Sequence, residues 1–197
     1  MGKRSPRNIK GVIFDLDGTL VDSMLDFDAM RRDMDLPEGE PILEALAKIP
    51  PGEQKDRRLA ILREHELRGA KRATLMPGAE SILKLLSGRG AHCGILTRNS
   101  REATQIVLQN LNHTFTSVLT REDAPAKPDP TGLLQICEQW QIAPGNALFV
   151  GDFLFDLQAG QRAGIPTVLY MPKKVPEYAE LADFRIRHFD DLIPLIS

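Results

Sequence analysis

Two cysteines are too few to staple a chain of 197 residues. Both of them, Cys93 and Cys137, fall in apolar, patterned segments. That placement predicts buried, reduced thiols rather than a disulfide or a metal pair, and it suits a reducing cytoplasm. No apolar run approaches the roughly 20 residues of a membrane span. The start, Met1 to Arg7, is basic but has no apolar segment behind it, so it does not read as a secretory signal. Pro6 stands where a myristoylation signal wants Ser or Thr. Residues 1–8 read as a short disordered tail. Positive charge is not in excess either: 25 Lys and Arg face 27 Asp and Glu, a net charge of −2. This argues against nucleic acid as the main partner. Internal repeats and low-complexity segments are missing as well.

What remains is an ordinary globular composition, 42% hydrophobic and 26% charged, with length for one good core and a small insert. Strand-like and helix-like segments alternate, which predicts an α/β fold with a mostly parallel sheet and helices on both faces. The strand candidates are 10–14, 92–96, 115–119, 147–150, 167–170 and, more weakly patterned, 184–188. Between them, apolar residues recur at helical spacing: Ala79, Ile82, Leu83 and Leu86; Ala103, Ile106, Val107 and Leu111; Leu133, Ile136, Cys137 and Trp140. Asp129-Pro130 reads as an N-cap followed by proline at the first helical position. From about Met24 to Leu75 the alternation stops. That stretch reads as helices punctuated by Pro37, Pro41 and Pro50-Pro51, without a strand. Its arginines, dense from Arg57 to Arg72, read as a solvated helix face.

The chemistry concentrates at strand ends. Phe14-Asp15-Leu16-Asp17-Gly18-Thr19-Leu20 follows the apolar run Gly11-Val12-Ile13-Phe14. Carboxylates two apart at the end of a strand point to one side. Their mutual repulsion needs an offset, commonly a divalent cation. Gly18 lets the backbone turn away. Three further groups lie at or beside strand ends, the edge where open parallel sheets bind ligands. Thr97-Arg98-Asn99-Ser100 offers a hydroxyl and amides at a helix start, with Asn99 or Ser100 as its cap. Lys127, before Pro128, is a cation on a stiff loop that can neutralise a phosphate or the crowded acids. Gly151-Asp152 and Asp156 add two carboxylates that would complete an oxygen-rich magnesium site.

In this order (acid pair, hydroxyl, lysine, acid pair) the chain resembles the haloacid dehalogenase superfamily, over roughly Ile9 to Tyr170. Asp15-Leu16-Asp17-Gly18-Thr19 looks like its first motif, Thr97 its second, Lys127 its third, and Gly151-Asp152 with Asp156 its fourth. The chain is most similar to the phosphoglycolate-phosphatase-like group with a small α-helical cap. The insert is short for that group, so its substrate is not carried over. The resemblance implies a Rossmann-like three-layer αβα sandwich, with a catalytic core of residues 9–23 and 76–197 and an all-helical cap at 24–75.

It also implies roles. Asp15 is the nucleophile that becomes an aspartyl phosphate, and Asp17 is the acid and then the base, which wants a pKa raised toward working pH. Magnesium (Mg2+) is held by Asp15, the main-chain carbonyl of Asp17, and Asp152, with Asp156 as a further ligand or a support to one. Thr97 and Lys127 hold the phosphoryl oxygens, with Arg98 and Asn99 as neighbouring substrate contacts. Dehalogenases of the superfamily lack an acid at the position of Asp17, so its presence favours phosphate over carbon–halogen chemistry. Two residues depart from the common pattern. Phe153 stands where Ser or Thr is frequent, and implies a drier wall or a contact with the insert. Arg98 separates Thr97 from Asn99, and either adds a fork for an anionic part of the substrate or faces solvent. The expected function is a magnesium-dependent phosphatase of a small phosphorylated metabolite, cytoplasmic, with neither nucleic acid nor membrane as partner. A phosphomutase acting on a sugar phosphate uses the same core residues, and a non-catalytic binding protein on the same fold is the third reading. A phospho-receiver domain is excluded by order, because its phosphorylated Asp follows a middle strand.

Overall fold

The computed structural model describes residues 8–111 and 113–196. The tail expected at residues 1–8 lies outside them apart from Asn8. In chain order the elements are β1 (Gly11–Phe14), β2 (Val21–Asp22), α1 (Phe27–Asp33), α2 (Ile42–Ala47), α3 (Glu53–Arg72), β3 (Thr74–Leu75), α4 (Ala79–Gly88), β4 (His92–Leu96), α5 (Arg101–Gln109), β5 (Ser117–Leu119), α6 (Thr131–Gln139), β6 (Ala147–Gly151), α7 (Leu154–Ala163), β7 (Thr167–Tyr170) and β8 (Phe184–Ile186). Six strands form one parallel sheet in the order β5-β4-β1-β6-β7-β8.

β1 sits inside this sheet with a helix layer on each side, which is why all four of its residues are apolar or glycine and all are buried. Its pleat divides them. Val12 and Phe14 join the layer of Ile82, Leu83, Leu86 and Val107 from α4 and α5. Ile13 joins the opposite layer of Leu133, Ile136, Ala159 and Ala163 from α6 and α7. The two faces of the sheet thus have separate cores, and the helical periodicities of the sequence supply both. The 3-10 segment Phe189–Leu195 closes the first layer: Phe189 stacks on Tyr170 with ring centroids 4.7 Å apart.

The structure moves several expected boundaries. β1 begins at Gly11 rather than Lys10, β5 at Ser117 rather than Phe115, and β8 stops at Ile186 rather than His188. The stretch read as free of strands contains Thr74–Leu75, which pairs antiparallel with Val21–Asp22. A two-residue ladder has no periodicity to read, and its partner is remote in sequence. α6 starts one residue later than expected: Asp129 Oδ1 accepts from the Thr131 N–H at 2.9 Å, so Pro130 occupies the cap position.

Helices α1 to α3 lie between β2 and β3 and have a small core of their own, Met30, Met34, Ile42, Leu46 and Leu62. Asp26 caps α1, accepting from the N–H groups of Asp28 and Ala29 at 3.1 and 2.9 Å. Across from α5, Arg63 of α3 makes a two-pronged pair with Glu102, at 2.7 and 2.8 Å. Among the described residues no helix is long and apolar enough to cross a membrane. Cys93 and Cys137 are free and buried, and burial pushes their thiols up to about 12 and about 11.

Candidate active site

The site is built where β1 runs out. The Asp15 N–H still donates to the Val150 carbonyl (2.8 Å), which continues the pairing with β6 by one residue and fixes where Asp15 begins. The chain then turns. Gly18 takes a φ of +82°, and its N–H donates to the Val21 carbonyl at 2.8 Å. A Cβ there would also come within 2.4 Å of Asp152 Oδ2, so glycine is required both by the backbone and by its neighbour. Thr19 Oγ1 donates to Asp152 Oδ1 (3.2 Å), tying this turn to the end of β6.

Asp15 and Asp17 both reach one pocket, but they meet different partners there. Buried Asp15 receives the Lys127 ammonium, which also lies 2.7 Å from Asp156 Oδ1. Burial alone would strip charge from Lys127. The Asp15 and Asp156 carboxylates outweigh it and push the ammonium up to about 12. Burial likewise raises Asp15 well above the usual carboxylate range. Lys127 pulls the other way, and the nearby Asp156 and Asp152 add to the rise. Asp17 accepts instead from Ser23 Oγ and from Asn99 Nδ2. Burial lifts it to about 6, with Ser23 opposing and Glu66 reinforcing the shift.

Asp152 follows the last residue of β6, and Asp156 stands in the first turn of α7, where its Oδ2 accepts from the Phe153 N–H at 3.0 Å. Gly151 permits this, since a Cβ there would lie 2.4 Å from the Asp156 carboxylate. Burial and the charge of Asp156 raise Asp152 to about 7, against Lys127 and the Thr19 bond. Ligand oxygens of Asp15, Asp152 and Asp156 all lie within 4.8 Å of one another. This oxygen-only set, with Asp15 and Asp156 buried and Asp152 partly so, suits a hard divalent cation. The Asp17 carboxylate is not part of it, so Asp17 could join only through its main-chain carbonyl, as the resemblance implies.

Thr97 follows β4 directly and is buried. Its N–H donates to the Leu119 carbonyl at 3.0 Å, and its Oγ1 accepts from the Asn99 N–H at 3.1 Å. Of the two possible caps, Ser100 is the one used, its Oγ accepting from the Ala103 N–H at 3.3 Å, which frees the Asn99 amide for Asp17. Arg98 does not face solvent, and its fork does not stand ready for an anion. It donates to the Lys127 carbonyl and to Glu44 Oε2 of α2 (2.6 Å), and its guanidinium lies 4.8 Å over the Phe155 ring. Phe153 is 47% exposed on the pocket wall, edge-on to Phe155 and Tyr178.

Sequence reasoning missed Glu66. It lies in the charged helix read as solvated, yet it is buried, lines the pocket and is paired with Arg121. The signal was there: Leu62, Gly69 and Ala70, four before and three and four after it, share the buried face of α3. Ser23 and Glu44 were missed too, having no motif to mark them. The other arginines of the insert mostly serve structure or face water. Arg58 donates to the Met34 carbonyl at 2.7 Å, and Arg31 to the Glu40 carbonyl at 2.9 Å and to Asp28 at 2.7 Å.

The model of the haloacid dehalogenase-like hydrolases matches residues 9–164, most of the chain, including Asp15, Asp17, Thr97, Lys127, Asp152 and Asp156. The chain belongs to this family. It is 34% identical over 173 residues to a haloacid dehalogenase-like hydrolase domain-containing protein of Arabidopsis thaliana, covering 82% of this chain and 70% of the relative. It is 27% identical over 204 residues to a phosphoglycolate phosphatase of Aquifex aeolicus, covering 94% and 96%. The crystal structure of a haloacid dehalogenase-superfamily hydrolase of subfamily IA from Geobacter sulfurreducens superposes with a TM-score of 0.68 at 26% identity, covering 98% of this chain and 99% of that one. Within the family the chain falls in the phosphoglycolate-phosphatase-like group, among the phosphoric monoester hydrolases.

Proposed function

We propose that this protein is a magnesium-dependent phosphatase that hydrolyses a small phosphorylated metabolite through an aspartyl phosphate on Asp15. The observation that carries this reading is the convergence on Asp15 of one cation, Lys127, and two further carboxylates, Asp152 and Asp156, at the carboxyl edge of the sheet. An Asp15 oxygen attacks phosphorus while the ester oxygen departs with a proton from Asp17. Asp17, now ionised, takes a proton from the water that attacks the aspartyl phosphate, and Asp15 is restored. A carboxyl held at about 6 serves both directions near neutral pH, and its bonds to Ser23 and Asn99 orient it. Thr97 and Lys127 hold the phosphoryl oxygens, and Lys127 offsets their charge. Asp15, Asp152 and the Asp17 carbonyl, with Asp156 as a further ligand or a support, would hold magnesium, which supplies positive charge to the same oxygens.

The helices of residues 24–75 act in this reading as a cap that sets specificity over a core of residues 9–23 and 76–197, and the enzyme works in the cytoplasm. The test is phosphate release from an aryl phosphate with and without magnesium, beside Asp15→Asn. Magnesium-dependent release that vanishes in the variant is the expected result. A variant that keeps most of its activity would overturn the covalent route.

A further inference from the structure

The pocket that holds the carboxylates has a volume of about 270 Å³ in all and extends from the sheet edge to helices α1 to α3. Its outer part is apolar. Phe27, Ile42 and Leu43 face it from one side, and Phe153 and Phe155 from the other. Phe27 and Phe153 are 51% and 47% exposed, large side chains left facing the opening. Apolar walls with few polar anchors bind ligands by burying apolar surface.

The charges of this outer part are already matched. Arg98 is held by Glu44, Arg31 by Asp28 and the Glu40 carbonyl, and Glu66 by Arg121. Lys127, at the inner end, is held by Asp15 and Asp156. A second anionic group on a substrate would have to share a guanidinium whose charge a carboxylate already offsets, or enter an apolar pocket uncompensated.

We infer that the ester this site takes has a neutral, apolar leaving group of about the size of one aromatic ring, not a second carboxylate or phosphate. The inference rests on the phosphatase reading and narrows its substrate class. It separates this chain from the activity for which its phosphoglycolate phosphatase relative is named, whose substrate would bring a carboxylate to this wall.

The test compares benzyl phosphate with 2-phosphoglycolate, using the full chain with magnesium. Both esters release a primary alcohol, so the chemical step is similar and the difference reports on the wall. The expected result is a kcat/KM at least tenfold higher for benzyl phosphate. Glu44→Gln, which releases the Arg98 fork, narrows that gap by raising turnover of 2-phosphoglycolate. Phe153→Ala lowers kcat/KM for benzyl phosphate mainly through KM. Equal or faster turnover of 2-phosphoglycolate by the natural chain would overturn the inference while leaving a phosphatase. Release from neither ester, nor from the aryl phosphate used above, would overturn the phosphatase reading and the inference with it.

Discussion

At the scale of single residues, the site is a set of acids held against their own charge. Asp15 is raised well above its ordinary pKa, mainly by burial, so its ionised form weakens the folded state at neutral pH. Asp15→Asn should therefore leave the melting temperature equal or higher while abolishing turnover, which thermal melts beside the activity assay will check. Asp17 is raised to about 6 from an ordinary value of 3.8. A raised carboxyl binds its proton more tightly in the folded state, so its cost is full above about pH 6 and fades as the pH falls toward 4. Relative to Asp17→Asn, the natural protein in chelator should gain stability between pH 7 and pH 5. Melts at the two pH values decide this, and equal shifts in both proteins would show that Asp17 is not perturbed. In turnover, Asp17→Asn should trap the phosphoryl group and release it slowly. Lys127→Ala leaves Asp15 and Asp156 facing each other without their cation. It should lose activity and show a larger rise in melting temperature on adding magnesium than the natural chain does.

At the scale of elements, the legible parts of the fold were those whose physics is local. Buried strands such as Gly11–Phe14 announce themselves as apolar runs, and α4, α5 and α6 as repeats of apolar residues at helical spacing. The site residues at strand ends were legible for the same reason, since a strand's end fixes where the next side chain starts. The β2–β3 ladder was not legible, because two residues on each side carry no pattern and the pairing spans the whole helical insertion. Glu66 was legible only in part: Leu62, Gly69 and Ala70 mark its face of α3, but its partner, Arg121, lies beyond β5. That pair joins α3 to the core beside Asp17. Glu66→Gln would leave the largely buried Arg121 guanidinium short of a carboxylate, at a cost on the order of 2 kcal/mol. Urea unfolding should show this as a lower midpoint with an unchanged slope.

At the scale of the whole molecule, α2 and α3 are fastened to the residues around the sheet by three ion pairs of unequal character. Arg121–Glu66 is largely buried, Arg98–Glu44 sits at the pocket, and Arg63–Glu102 is exposed to water. The exposed pair contributes little and weakens in salt, while the buried one resists it. Raising ionic strength should thus leave the melting temperature of Arg63→Gln close to that of the natural chain and leave the deficit of Glu66→Gln in place, a contrast that one salt series can read.

The strand order has a consequence for how the molecule is made. β1 lies between β4 and β6, and the bonds that assemble the acids reach far along the chain: 112 residues from Asp15 to Lys127 and 133 from Thr19 to Asp152. During synthesis on the ribosome, β1 leaves the exit tunnel long before either partner exists, and a nascent chain that stops short of β6 has only one neighbour for its innermost strand. The carboxylates of Asp15 and Asp152 can therefore meet only after β6 has been made, and such contacts between distant parts of a chain are slow to form.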